Sequence, residues 1–231
     1  MNSLLSRRSL VTLASAVLVL PRVAQARSVA AVERELYREE KFFQPMNEPA
    51  PPFELSDPDG HQVGLKELRG KIVVLNFIYT RCPDICPLQT ERLAEIQRMI
   101  KPTPLRDRVR LISITADPVH DLPEVMKAYG EQHGMDPTNW SFLTSGPNRP
   151  KATRELSAQY HNRYQLEPDG SITHGTVFHV IDSAGQWRGN FHGLQWKPEH
   201  LVMFLRALAD QAAQPSKSPS LSVWRRLQKL L

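Results

Sequence analysis

Both cysteines of this 231-residue chain fall in one stretch, Phe77-Ile78-Tyr79-Thr80-Arg81-Cys82-Pro83-Asp84-Ile85-Cys86-Pro87, where an apolar run gives way to a helical one. Residues 71–79 are mostly apolar and β-branched, bounded by Gly70 and Pro83, which is the pattern of a short strand buried on both faces. Such a strand needs cover on two sides. Pro87 lacks an amide proton and disfavours a helical conformation at Cys86, so the spacing predicts a helix that starts at Pro87 with Cys86 near its cap. Both sulfurs then lie on a constrained loop at the positive end of a helix, with Arg81 alongside, a setting that favours thiolate over thiol. Thiolate is the form that attacks disulfides and binds soft metals.

The rest of the chain supplies the cover. The turn Ser56-Asp57-Pro58-Asp59-Gly60 leads a hairpin into residues 62–65, and a short helical turn ending at Gly70 delivers the chain to the buried strand. After the cysteines, Leu88, Leu93, Ile96 and Ile100 recur at helical intervals until Pro102 and Pro104. Strands are then expected at 109–115, 140–143 and 177–182, with an antiparallel partner at 186–190 and helices at 122–133, 150–159 and 198–211. Glu167-Pro168-Asp169-Gly170 marks a hairpin between residues 160–165 and 171–173, inserted between helix and sheet. This order predicts an α/β fold, a central sheet flanked by helices on both faces with an inserted β-hairpin. In open sheets of this kind the site lies at the carboxyl ends of the strands, where the cysteine loop falls.

The two ends of the chain are different in kind. Arg7 and Arg8, the apolar run 9–20 and Ala24-Gln25-Ala26 make residues 1–26 an export signal, and the paired arginines suit the twin-arginine route. Whether the signal is cleaved or kept as an anchor, the remainder is placed outside the cytoplasm, in the periplasm. Residues 27–47 read as a charged, helical lead-in anchored by Leu36, Phe42 and Phe43, and residues 48–213 as the domain. Residues 214–231 form a linker and a basic amphipathic tail, with Leu221, Trp224, Leu227 and Leu231 on one side and Arg225, Arg226 and Lys229 between them, suited to contact with an anionic membrane surface or a partner. Of the 29 basic residues, three precede Arg27 and four follow Gln214, leaving 22 against 24 acidic residues in between. That balance gives no argument for a nucleic-acid face, and no nucleic-acid partner is expected. Two cysteines in an exported chain of this size do not make a disulfide scaffold, so the pair is free for chemistry.

Three readings of the pair compete. A structural disulfide would close a very short loop, where loop-entropy stabilisation is smallest. A dithiol oxidoreductase would depart from the two-residue spacing of thioredoxin motifs, since three residues separate Cys82 from Cys86. A metal site fits two thiolates at i and i+4, which select soft ions such as Cu(I), but needs a third ligand. Eight histidines are candidates. His179, inside a strand, reads as packed and hydrogen-bonded; His174 sits in the loop that enters the strongest late strand; position alone does not choose among them.

The segments Tyr79–Pro87, then Leu111-Ile112-Ser113-Ile114-Thr115-Ala116-Asp117-Pro118 with Asp121, then Trp140-Ser141-Phe142-Leu143-Thr144 resemble the SCO/SenC family of exported copper proteins over about residues 48–210. The resemblance implies a thioredoxin-like fold with an inserted hairpin. Carried over residue by residue, it implies copper ligands at Cys82, Cys86 and His174, with Cu(I) as the ion and Cu(II) left open. It further implies delivery of copper to the CuA centre of cytochrome c oxidase subunit II, by ligand exchange at an exposed loop, and a thiol reductant in the same compartment to keep the cysteines reduced. The family often has Asp before and Ser after its histidine, where this chain has Thr173 and Gly175, so a carboxylate that would orient the imidazole is lost. Asp117 is expected to cap the turn before the next helix. The main alternative is an extracytoplasmic thiol-disulfide oxidoreductase with Cys82 and Cys86 as redox-active thiols and Cys82 attacking. A thiol peroxidase fits less well, because Thr80 is two residues before Cys82 where such enzymes place a threonine three before.

Overall fold

The computed structural model describes residues 27–162, 164–167 and 172–214, so the export signal and the basic tail expected from the sequence lie outside the described residues. Its centre is strand β4 (Ile72–Ile78), every residue of which is buried. Five strands join it in one sheet: β1 (Phe43–Pro49), β5 (Val109–Thr115), β6 (Trp140–Leu143), β9 (Val177–Ile181) and β10 (Gln186–His192), in the order β1-β10-β9-β4-β5-β6. Strands β4, β5 and β6 run parallel, while β9, β10 and β1 are added antiparallel on the other side. A smaller hairpin, β2 (Glu54–Ser56) with β3 (Gln62–Gly64), and the inserted hairpin, β7 (Tyr164–Leu166) with β8 (Ile172–His174), stand apart from this sheet.

Alternation along β4 divides the core in two. Ile72, Val74 and Ile78 face one layer, built from helices α1 (Val29–Glu39), α2 (Ile85–Ile100), α3 (Pro123–Gln132) and α5 (Pro198–Ala213). Val73, Leu75 and Phe77 face the other, where helix α4 (Ala152–Gln159) brings Leu156 and the β2–β3 hairpin brings Leu55. Successive residues of a strand point to opposite faces, so a strand covered on both sides must be apolar throughout. The expected α/β architecture and hairpin insertion are therefore present. Among the described residues no helix is long and apolar enough to cross a membrane.

Two local expectations fail for identifiable reasons. The lead-in is not one helix: Ser28 caps α1 by accepting from the Ala31 amide at 3.3 Å, and Val29, Val32 and Leu36 bury one face of it. Residues 43–49 instead form an edge strand, because Pro45 and Pro49 cannot donate in a helix or a central strand but are tolerated at a sheet edge. The segment before β4 is a turn rather than a helix, closed by Gly70 at φ 85°, a conformation open to glycine.

Candidate metal centre

Strand β4 ends at Ile78 and α2 begins at Ile85, so the cysteine loop leaves the carboxyl end of the sheet, as its topology requires. The helix starts two residues before the expected Pro87, which places Cys86 and Pro87 inside its first turn. Amides of a first turn have no intrahelical partner, so a proline there breaks no bond. Asp84, at the cap position, makes no side-chain cap bond. A sulfur does that work: the Cys86 amide points at Cys82 Sγ, 3.5 Å away. The Cys86 thiol and then the backbone groups of Asp84, Cys86 and Ile85 bond to the Cys82 sulfur, holding its pKa down at about 5 against the opposing effect of burial. The Cys86 thiol is pushed far up, first because it donates to Cys82 and then by burial. The asymmetry favours ionisation at Cys82 and keeps the proton on Cys86.

Both cysteines are free, and both are buried, Cys82 at 7% and Cys86 at 0% exposure, rather than displayed on an exposed loop. Arg81 does not serve the thiolate as expected. Its guanidinium turns to Asp117 at 2.7 Å and to His120 at 2.9 Å. Asp117 heads the turn before the next helix through its carbonyl, which accepts from the His120 and Asp121 amides at 3.1 and 3.0 Å, while its carboxylate holds Arg81.

The buried carboxylate of Asp121 (1% exposed) fixes the loop from beneath. It accepts from the Thr80 amide at 3.2 Å and from the hydroxyls of Thr80 and Thr115. Ile78 of β4 lies opposite Thr115 of β5, so the ends of two neighbouring parallel strands are tied to one acid. Burial raises the Asp121 carboxyl pKa while the threonine bonds oppose it. In the sequence Asp121 is only part of a motif; the threonine at each strand end is the signal that could have singled it out.

His174, expected in the loop before the late strand, closes β8, opposite Tyr164 of β7. The cysteine loop and this strand are joined by Tyr79. Its hydroxyl donates to the Ile172 carbonyl at 3.2 Å and receives the Ile172 amide at 3.3 Å. The strand is thus braced two residues before His174 by a residue three before Cys82. Burial first, and then the neighbouring Cys82 and Cys86, push the Tyr79 phenol up to about 12, so it stays protonated and able to donate. Nothing in its sequence position announced this role.

Other histidines are engaged elsewhere. His179 is buried, bonded through Nδ1 to Asn190 Oδ1 at 2.8 Å, and driven down to about 3 chiefly by burial, the packed role expected of it. His200 meets Glu40 at 3.1 Å, His61 meets Asp57 at 3.1 Å, and His133 lies against the Tyr129 ring. The geometry therefore brings Cys82 and Cys86 together and braces the strand of His174 against their loop. Two adjacent sulfurs with one imidazole form a donor set for a soft ion.

The model of the SCO1/SenC family matches residues 44–210. The SCO1 protein homolog of Bacillus subtilis is 27% identical over 156 residues, covering 67% of this chain and 79% of that protein. The structure of a SCO1/SenC family lipoprotein from Bacillus anthracis superposes with a TM-score of 0.67 at 29% identity, covering 72% of this chain and 98% of the other. Bradyrhizobium japonicum ScoI, solved with copper bound, gives a TM-score of 0.54 at 27% identity over 71% of this chain and 97% of that one. A family match spanning most of the chain, on a fold shared with these thioredoxin-like structures, establishes that the chain belongs to the SCO1/SenC family.

Proposed function

We propose that this chain is an exported, periplasmic copper chaperone for cytochrome c oxidase assembly, which binds one copper ion through Cys82, Cys86 and His174. Its acceptor would be the CuA centre of subunit II. The observation that carries this reading is the Tyr79 brace, which couples the strand of His174 to the cysteine loop. A relative solved with copper bound supplies the ion. Soft thiolates favour Cu(I), and the imidazole completes a three-donor set. Cys82 is the sulfur whose ionisation the loop favours, so binding displaces chiefly the proton held by Cys86. Because Cys86 is fully buried and Cys82 nearly so, release to an acceptor requires the acceptor's ligands to reach the sulfurs and replace the donors in turn. Oxidation of the pair to a disulfide removes two electrons and the proton held by Cys86 and abolishes the donor set, so a thiol reductant of the same compartment is needed.

One observation favours a second reading, the thiol-disulfide oxidoreductase. The unequal pair, with Cys82 ionised and Cys86 protonated, is also the arrangement of an attacking and a resolving thiol. Competition for Cu(I) against a strong chelator separates the two. The chaperone reading expects tight binding by the reduced chain, weakened by His174→Ala, and transfer to an apo CuA domain. Absence of binding by the reduced chain, with efficient reduction of a protein disulfide, would overturn it.

A further inference from the structure

The turn after α4 holds a buried amide with no partner. Asn162 is 2% exposed, and neither Nδ2 nor Oδ1 of its carboxamide has a hydrogen-bond partner. The chain is bent to aim it inward. His161 adopts φ 54°, the left-handed region that a residue with a side chain enters at a cost, and the Asn162 amide then bonds back to the Ser157 carbonyl at 2.9 Å. A buried, unpaired carboxamide is itself unfavourable, so two adjacent residues, His161 and Asn162, each depart from a local preference here.

The group it faces is the backbone just past His174. A Cβ placed on Gly175 would fall 2.0 Å from Asn162 Oδ1 and 3.2 Å from its Cγ. Gly175 is thus required by space: the Asn162 carboxamide occupies the volume that any side chain at 175 would take. A metal-bound histidine almost always donates its second ring N–H to a carboxylate or carbonyl oxygen, which sets ring orientation and ligand basicity. The residues beside His174 are Thr173 and Gly175 and supply no carboxylate. The carboxamide that displaces a side chain at 175 supplies an unused oxygen at the same place.

We propose that Asn162 is the positioning residue of the His174 ligand, its Oδ1 receiving the imidazole N–H remote from copper when the ion is bound. This rests on His174 being a copper ligand, and the test separates the two claims. Cu(I) affinity is measured by chelator competition on the reduced full chain, for wild type, Asn162→Ala, His174→Ala and the double variant. Asn162→Ala is expected to lose about 10–100-fold in affinity, and the double variant to bind no more weakly than His174→Ala alone. Asn162→Asp, which keeps the oxygen, is expected to recover most of the loss. Gly175→Ala pushes the carboxamide from its place without removing it, and is expected to weaken copper binding while leaving Asn162→Ala no weaker when the two are combined. It decides the matter should Asn162→Ala fold poorly.

Wild-type affinity in both Asn162→Ala and Gly175→Ala, with a loss in His174→Ala, would overturn the positioning role and leave the ligand intact. A loss from Asn162→Ala that adds in full to that of His174→Ala would also overturn it, because the amide would then act elsewhere. Wild-type affinity in His174→Ala would remove the ligand reading itself.

Discussion

The brace between Tyr79 and Ile172 can be removed with one oxygen atom. Tyr79→Phe keeps the ring, which is 4% exposed, and takes away the hydroxyl that bonds both the amide and the carbonyl of Ile172, itself 7% exposed. Leaving a buried donor or acceptor unpaired costs about 1–3 kcal/mol each, so the two groups together set the scale at roughly 2–6 kcal/mol. The hairpin can escape part of that cost by lifting away and letting water reach Ile172. Loss of even about 1.4 kcal/mol shifts the docked-to-undocked ratio tenfold. Two readouts follow. Amide hydrogen exchange at Ile172 should accelerate by tenfold or more, and Cu(I) affinity should fall, while the urea midpoint drops by less than the full cost because the sheet stays folded. Unchanged exchange at Ile172 together with unchanged copper affinity would show that the brace does not couple the hairpin to the cysteine loop.

Three further perturbations probe what surrounds it. Alkylation of Cys82 should follow a titration near 5, where an ordinary thiol gives about 8.5. Because its folded pKa is depressed, the stability it contributes is present above the ordinary thiol range and is lost as pH falls through about 5; an alkylation profile centred near 8.5 would refute the capping geometry. Asp121→Ala strands the Thr80 amide and two threonine hydroxyls, an expected loss of at least about 3 kcal/mol in urea unfolding. Asp121→Asn should cost less, and its penalty should shrink as pH rises, since an acid with a raised folded pKa contributes stability at low pH that is lost as it ionises; a penalty that grows with pH would contradict this. Gly130→Ala places a Cβ 2.6 Å and 2.9 Å from the Trp140 ring, so overpacking of about 1–3 kcal/mol should outweigh the gain of about 1 kcal/mol in helix propensity. A raised melting temperature would refute it.

Much of the fold was legible because one strand determined it. The unbroken apolar run before Thr80 specified a strand covered twice, and the alternation of strands and helices around it left few other architectures. The helix start was misplaced because the restriction on a residue before proline competes with a sulfur acting as cap, and only the three-dimensional position of Cys82 shows that the sulfur wins. The edge strand at 43–49 was hidden by its charges and prolines, since edge strands lack the apolar alternation of central ones. At the site, the cysteines were evident from spacing, whereas Tyr79, Asp121 and Asn162 act across separations of 93, 41 and 13 residues, to Ile172, Thr80 and Gly175. No local pattern carries such contacts. Arg81 shows the opposite limit: its sequence neighbour is a thiolate, yet its guanidinium is held by Asp117.

The central claim is that two sulfurs and one imidazole of this chain hold one copper ion. X-ray absorption of the reduced chain loaded with one equivalent of Cu(I) measures that donor set directly. Two sulfur scatterers and one nitrogen are expected, with the nitrogen lost in His174→Ala and one sulfur lost in Cys86→Ser. A shell of sulfur alone that is unaltered by His174→Ala would contradict it.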